Sequence, residues 1–156
     1  MFMIPKLKEF IEKNIDLIEN NRFEEVYDQL YVSEVEFPYG ELTKILLSID
    51  IDPLNYMNFV PSYYLEYEKS DWSFKRFVVP SNIVQLDHGS FSLCCPIGEL
   101  ILPESIKQIE TAVFTDARIS KITYLGTKEQ FNHVLISYRD SYRGLRIQCS
   151  DDDYVI

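Results

Sequence analysis

The sequence has little glycine and no long hydrophobic run. Its 156 residues include five glycines, and neither a Walker sequence nor another glycine-rich phosphate loop occurs among them. No stretch approaches the roughly 18 consecutive apolar residues of a transmembrane helix. The first residues also lack the basic and apolar regions of a secretory signal. We therefore expect a cytoplasmic protein that has no phosphate-binding loop and binds no membrane.

Cysteine and histidine are also scarce. The chain has three cysteines and two histidines, which are Cys94, Cys95, Cys149, His88 and His133. Their spacings match none of the paired patterns that bind zinc. The run Asp151 to Asp153 lacks the alternating acids, the glycine and the distal glutamate of a calcium loop, and a hairpin turn explains it better. We expect no metal site and no cofactor, and the odd cysteine count indicates reduced thiols.

Most of the negative charge lies in the first half of the chain. The whole sequence has a formal charge of −10, and Met1 to Trp72 carry fifteen acids against six bases, a net charge of −9. An acidic surface repels nucleic acids and anionic membranes, so direct binding to either is not expected, whereas it attracts a basic protein surface. The candidate acidic helical face consists of Glu24, Glu25, Asp28, Glu34 and Glu36. The alternative interpretation is a solvated helical face without a partner.

The first third of the chain is predicted to be helical, because three segments carry apolar residues at the i, i+3, i+4 spacing. Their apolar positions are Leu7, Phe10, Ile11, Ile15 and Ile18, then Phe23, Val26, Tyr27 and Leu30, then Leu42, Ile45, Leu46 and Ile49. Asn20–Asn21 is the expected break between the first two segments. The third should end before Pro53, because a residue that precedes proline leaves the helical region. For residues 54 to 67 we expect a short helix or an irregular bridge.

The middle of the chain contains an internal repeat. FVVPSNIVQLDHGSFSLCCPI aligns with LILPESIKQIETAVFTDARI at a spacing of 23 residues, and a third strand at Ile122 to Tyr124 follows after 22. The aligned columns are Phe77/Leu100, Val79/Leu102, Pro80/Pro103, Ile83/Ile106, Leu86/Ile109, Phe91/Phe114 and Phe74/Ile97/Ile119. A period of this length is typical of a solenoid, in which each coil stacks its apolar residues on the same columns of its neighbours.

The order of these residues resembles the BspA-like bacterial leucine-rich repeat. The matching positions are Val79-Pro80, Ile83, Leu86, Phe91, Cys94, Ile97, Leu100 and Leu102-Pro103. The end of the chain, ITYLGTKEQFNHVLI followed by LRIQCSDDDYVI, is similar to the C-terminal cap of such proteins, with a Gly-Thr-Lys turn, a short helix and a closing hairpin that carries a cysteine.

The resemblance covers residues 74 to 156. Asp87 and Glu110 stand where the family usually has glycine, and Ala117 replaces the repeat cysteine, which indicates altered turns. In front of the repeat, IDPLNYMNFVPSYYL is similar to small leucine-rich-repeat proteins of phages and prophages of low-GC bacteria.

Together these patterns predict an α+β fold. An acidic N-terminal helical region (1–73) is expected to cap a short leucine-rich-repeat solenoid (74–125), which ends in a β-hairpin cap (126–156). In the repeat strands, the residues between the inward ones should face outward and form a rigid platform for protein recognition. This sheet face consists of Arg76, Val78, Glu99, Ile101, Lys121 and Thr123. The alternative is that the chain's own helices cover it.

The expected function is that of a non-enzymatic protein–protein interaction module, which binds through the sheet face or the acidic helical face. The acidic half and the phage resemblance suggest a narrower hypothesis. In it, the chain is a phage-encoded inhibitor of a host defence nuclease, comparable to small acidic anti-CRISPR proteins. Its partner would be a basic nucleic-acid-binding protein in the host cytoplasm, whose nucleic-acid channel it would block.

A third hypothesis, from a different class, is a thiol-dependent or hydrolytic enzyme centred on Cys95 or His88. Cys94 lies in the repeat-cysteine column, where a buried thiol has a raised pKa and is inert. Cys95 is expected to point elsewhere and to be partly exposed. Neither histidine has a nucleophile at motif spacing, so no catalytic residue is expected.

Overall fold

A computed structural model describes residues 5–33, 36–67 and 72–156 as a few N-terminal helices followed by a β-solenoid of about four turns. The helices are α1 (Pro5–Lys13), α2 (Ile15–Glu19), α3 (Phe23–Val32), α4 (Gly40–Ser48) and α5 (Lys128–Asn132), with short 3-10 helices at Pro53–Tyr56 and Arg139–Tyr142. The strands are β1 (Phe59–Val60), β2 (Phe74–Val78), β3 (Gln85–Leu86), β4 (Ile97–Leu102), β5 (Gln108–Ile109), β6 (Ile119–Tyr124), β7 (Leu135–Ile136), β8 (Arg146–Gln148) and β9 (Asp153–Val155).

The N-terminal helices follow the predicted apolar spacing with one difference. The first segment forms two helices, α1 and α2, because the chain leaves the helix at Asn14, whose side-chain amide donates to the Phe10 carbonyl at 2.9 Å. Ile15, which the sequence placed on the apolar stripe, is therefore exposed. The break at Asn20–Asn21 is confirmed, with Asn21 in the left-handed region at φ 58°. The fourth helix ends at Ser48, before Pro53, as predicted.

Each coil of the solenoid contributes one strand to each of two sheets. The long sheet has the order β2-β4-β6-β8-β9, and the short sheet has the order β1-β3-β5-β7. The pairs are parallel except for the closing hairpin of β8 and β9. Asp151 and Asp152 lie in the predicted turn of this hairpin, and Asp153 begins β9 and pairs with Gln148. The register confirms the repeat alignment, because Phe77 pairs with Leu100 and Leu100 pairs with Ile122.

The solenoid has more coils than the two full repeats that the sequence showed. Residues 54–67, where a short helix or an irregular bridge was predicted, contain both a 3-10 helix and strand β1, which pairs with β3. Strands β7 and β8 belong to a further coil at the other end. These outer coils deviate in length from the 23-residue period, so their columns do not align in the sequence. The division of the chain at residues 73 and 125 stays a prediction.

The turns after the first three short-sheet strands share a backbone shape. Tyr63, Gly89 and Ala112 each stand three residues after the end of a short strand, and all have a left-handed backbone, with φ of 55°, 65° and 56°. Leu93 and Asp116 lie four residues later in their coils and are also left-handed. The turn geometry therefore repeats, although only one of these five residues is glycine. Glycine is the residue for which this backbone region carries no steric penalty.

Aromatic rings form a continuous row along the solenoid. Neighbouring ring centroids lie 5.0–6.2 Å apart, in the order Trp72, Phe74, Phe77, Phe91, Phe114 and Tyr142. Such contacts stabilise by about 0.5–1.5 kcal/mol each beyond the burial of their area. The row links the coils in one core and so fixes how the outward faces of the strands are presented.

Candidate binding faces

The six predicted sheet-face residues lie side by side on the long sheet. Arg76, Glu99 and Lys121 form one row across β2, β4 and β6, and Val78, Ile101 and Thr123 form the next. The side chains of Arg76, Val78 and Lys121 are largely exposed. The described helices therefore do not cover this face.

Glu99 is the centre of the charged row. Arg76 Nε lies 3.3 Å from Glu99 Oε1, Lys121 Nζ lies 3.6 Å from Glu99 Oε2, and the Thr123 hydroxyl donates to Oε2 at 2.6 Å. The hydrogen bond from Thr123, followed by the positive charges of Lys121 and Arg76, holds the pKa of Glu99 below its usual value. The row is thus a preformed chain of opposite charges rather than a set of free ones.

The sheet places an aliphatic strip beside this charged row. Val78 is 54% exposed in the edge strand β2, and Ile101 is half-buried in β4 because it has neighbours on both sides. Gly98 lies in β4, where an added Cβ would come within 2.5 Å of the Lys75 carbonyl oxygen. This close backbone approach is typical of a strand glycine and leaves no room for a side chain at this position.

The predicted acidic helical face is only partly free. Glu24 and Asp28 are exposed on α3, but Glu25 is paired with Arg22. Glu36 is paired with Lys6, which links the segment before α4 to α1. Glu34 lies outside the described residues. Among residues 5–33, 36–67 and 72–156, Glu24 and Asp28 have no ion-pair partner and remain candidates.

The solenoid adds acids that the sequence did not single out as a binding face. Burial raises the pKa of Asp87 above its ordinary value, a hydrogen bond from Gln85 at 2.8 Å opposes this, and the charges of Glu110, Asp28 and Glu24 raise it further. We call Glu24, Asp28, Asp87 and Glu110 the acidic patch. Asp87 and Glu110 occupy equivalent places in successive coils, so the 23-residue period is the signal that could have found them.

The cysteines are buried. Burial raises the pKa of the Cys94 thiol and raises that of Cys95 to about 12, while Cys149 is also buried with a raised pKa. The expectation that Cys95 is partly exposed was wrong. The segment at Leu65–Glu66 covers it, since the Cys95 N–H donates to the Leu65 carbonyl at 3.0 Å and Glu66 forms a β-bridge with Cys94.

The histidines are exposed and hydrogen-bonded. His88 Nδ1 contacts the hydroxyl of Thr111, which belongs to the next coil, and His133 Nδ1 donates to the Glu129 carbonyl at 2.9 Å. Among the described residues, no carboxylate is hydrogen-bonded to His88, so the ring lacks the orienting partner of a hydrolytic triad.

Within the described ranges, no group of three or more histidine, cysteine, aspartate or glutamate side chains is placed to hold a metal ion. None of the described helices is both long and apolar enough to cross a membrane. Comparisons of the chain with protein-family models, with curated proteins and with solved structures find no match in any of the three.

Proposed function

We propose that the protein is a non-enzymatic protein-binding module whose contact surface is the outward face of the long sheet. The observation that carries the proposal is the exposed aliphatic strip of Val78 and Ile101 next to the ion-paired row centred on Glu99. Parallel strands in register hold both rows rigidly. Because Glu99 is already held by three neighbours, a partner would not have to order its side chain, which lowers the entropy cost of association.

The area of the sheet face indicates whether it can form a transient or a stable complex. Three strands about 4.8 Å apart and about 17 Å long give a face on the order of 200–300 Å². A stable interface buries about 800 Å² on each partner. The sheet face alone therefore supports a transient complex, and a tighter one requires that the partner also cover the margins of the sheet.

The proposal that the module is non-enzymatic is supported by the thiols. A reactive cysteine needs an exposed, electropositive surrounding that lowers its pKa, whereas burial raises the pKa of all three cysteines here. The contact between His88 and Thr111 is a hydrogen bond between successive coils, which accounts for this histidine without a catalytic role.

We further propose that the solenoid is a BspA-like leucine-rich repeat with the corresponding C-terminal cap. Two features support this assignment: the in-register stacking of Phe77, Leu100 and Ile122, and the capping box in which the Thr127 hydroxyl accepts from the Gln130 N–H at 3.1 Å. The short helix that starts there buries Phe131, and the β8–β9 hairpin follows it.

A second candidate function rests on the acidic patch. The patch joins acids of α3 to acids of the solenoid, and ionised Asp87 is disfavoured there by burial and by its acidic neighbours. A basic protein surface would relieve that repulsion. The narrower form of this proposal is a phage-encoded inhibitor that covers the basic nucleic-acid channel of a host defence nuclease, as small anti-CRISPR proteins do.

In the test, the wild type and its variants are immobilised and incubated with an extract of the cell that encodes the chain. The proteins that each of them retains are then compared. Val78→Asp changes the sheet face, and Val155→Asp is the matched control, because both valines are 54% exposed and lie in opposite edge strands of the same sheet. A third variant combines Glu24→Gln, Glu25→Gln and Asp28→Asn.

We expect a protein that the wild type and Val155→Asp retain and that Val78→Asp loses. A retained protein that is unaffected by Val78→Asp but lost with the α3 variant would overturn the sheet-face proposal in favour of the acidic patch. Retention that is unchanged by neutralising the α3 acids, at low and moderate salt, would remove the charge-based candidate.

A further inference from the structure

The repeat places an aromatic ring at one position of two successive coils, and the last coil lacks it. Leu86 and Ile109 pair in the short sheet. Phe91 stands five residues after Leu86, and Phe114 stands five residues after Ile109. Their rings stack with centroids 6.2 Å apart and planes at 16°. Ile109 pairs in turn with Ile136, and the residue five positions after Ile136 in the last coil is Ser141.

A cleft lies beside Phe114 and Ser141, at this end of the column. It has a volume of about 620 Å³, and its walls include Phe114, Ser141, Tyr138, Tyr142 and Leu145. Tyr142 meets Phe114 edge-on, with centroids 6.2 Å apart and planes at 74°, and so leaves part of the Phe114 ring uncovered. With a serine at position 141 and Tyr142 edge-on to Phe114, an apolar cleft remains at this end of the aromatic row.

The wall opposite the solenoid is held in place. The Tyr142 hydroxyl accepts from the Val113 N–H at 3.0 Å and donates to the Glu110 carbonyl, so it bridges two groups whose equivalents in the preceding coil, the Ser90 N–H and the Asp87 carbonyl, bond directly at 3.0 Å. The Ser141 hydroxyl donates to the Tyr138 carbonyl at 2.7 Å. The cleft is therefore formed before any ligand binds, which favours binding because little has to be ordered.

The lining includes one guanidinium group, that of Arg143. Arg143 is 80% exposed, and its contact with the still more exposed Asp140 is a single long one of 3.4 Å. Its guanidinium can turn to a carboxylate, for which its two parallel N–H groups are suited. The threonine hydroxyls of Thr111 and Thr115 line the same cleft and can accept or donate to peptide groups.

We propose that this cleft binds the C-terminal residue of a polypeptide partner that ends in phenylalanine or tyrosine. The aromatic side chain lies beside Phe114, in the column position left open by Ser141, and the terminal carboxylate pairs with Arg143. The cleft is larger than one ring and open to solvent, so the preceding residues of the partner can leave it across the threonine hydroxyls. None of the six sheet-face residues lines the cleft, so this proposal and the sheet-face proposal can fail separately.

The test measures binding of fluorescent octapeptides by anisotropy. Three peptides share one Gly-Ser body and end in phenylalanine with a free carboxylate, in phenylalanine amide, or in alanine with a free carboxylate. We expect the alanine and amide peptides to bind about tenfold or more weakly, because each loses either the buried ring or the charge-assisted hydrogen bond.

Two substitutions assign the effect to the cleft. Ser141→Phe fills the open column position, so it should abolish binding of the phenylalanine peptide and raise Tm. Arg143→Gln should remove the preference for the carboxylate over the amide. Arg139→Gln should keep that preference, because Arg139 contacts Tyr154 outside the cleft lining. Because Arg143 is exposed, Arg143→Gln should fold, so the comparison of Arg143→Gln with Arg139→Gln tests the cleft even if Ser141→Phe does not fold.

Equal binding of the three peptides would overturn the proposal, as would a folded Ser141→Phe variant that binds like the wild type. If N-acetylphenylalanine displaced the peptide at the peptide's own concentration, the cleft would recognise a free aromatic acid alone. That result would contradict the proposal that its ligand is a polypeptide.

Discussion

The rings of Phe91 and Phe114 stack with nearly parallel planes although 23 residues separate them, with centroids 6.2 Å apart and planes at 16°. Phe91 is fully buried between its neighbours, whereas Phe114 is half-buried at the cleft. The pair thus links the interior of the solenoid to the end at which the ring column stops. Its energetics report both on the core and on the origin of the cleft.

Replacing Phe91 by alanine should lower the free energy of unfolding by about 3–5 kcal/mol, because a large buried ring leaves a cavity. Phe114→Ala should cost less, since that ring is already partly open. Urea denaturation of both single variants and the double variant checks this. The double variant should fall short of the sum by about 0.5–1.5 kcal/mol, the contribution of the stacked pair. Strict additivity would show that the stack contributes nothing of its own.

Ala112→Gly should raise the free energy of unfolding by about 0.5–1 kcal/mol. Ala112 has φ 56°, where a Cβ is strained, and the equivalent position of the preceding coil is Gly89. The relief of strain should exceed the added entropy of the unfolded chain. Ala117→Gly is the control, because Ala117 is not in the left-handed region and should lose stability. Destabilisation by Ala112→Gly as large as that by Ala117→Gly would contradict the argument.

Asp87→Asn should raise Tm at pH 7, and the gain should vanish at low pH. Burial raises the folded-state pKa of Asp87, so the stability associated with its protonated form is complete below the ordinary aspartate pKa and is lost as the pH rises through the folded value. Asparagine imitates the protonated form at every pH. Thermal unfolding between pH 3.5 and 7.5 measures the difference, and the exposed Asp140→Asn is the matched control. A gain that is the same at both ends of the range would point to hydrogen bonding rather than ionisation.

The three thiols should resist Ellman's reagent in the folded protein. All of them are buried and have raised pKa values, so reaction at pH 7.5 should wait for opening of the structure and should reach three thiols per chain in denaturant. Stabilising the fold by Ala112→Gly should slow the reaction further. A thiol that reacts within seconds in native buffer would reopen the enzyme hypothesis.

The fold was predictable where successive coils repeat the same residue types. Phe77, Leu100 and Ile122 share a column because each faces the same interior position, and the sequence period reports this directly. The outer coils were missed, because β3 follows β1 after 26 residues and β7 follows β5 after 27, rather than after 23. An alignment that allowed this longer interval would have matched Ile136 to Ile109 and found Ser141 opposite Phe114.

The candidate surfaces divide in the same way. The sheet face follows from strand alternation within one repeat, so its six residues could be named in advance. The acidic patch as a whole could not: the period relates Asp87 to Glu110, but Asp28 comes from α3, and no spacing along the chain reports that a helix lies near a coil. The pairing of Glu36 with Lys6 could not be predicted either, because the two residues lie 30 positions apart in the sequence.

Hydroxyl-radical footprinting tests the proposed contact surface most directly. The protein is oxidised alone and in complex with a partner that the wild type retains, and the rates at Val78 and Ile101 are compared with the rate at Val155. We expect oxidation of Val78 and Ile101 to slow several-fold in the complex, while Val155, which is as exposed as Val78 in the free protein, reacts unchanged. Unchanged rates at Val78 and Ile101 in a saturated complex would contradict the assignment of the long sheet as the binding face.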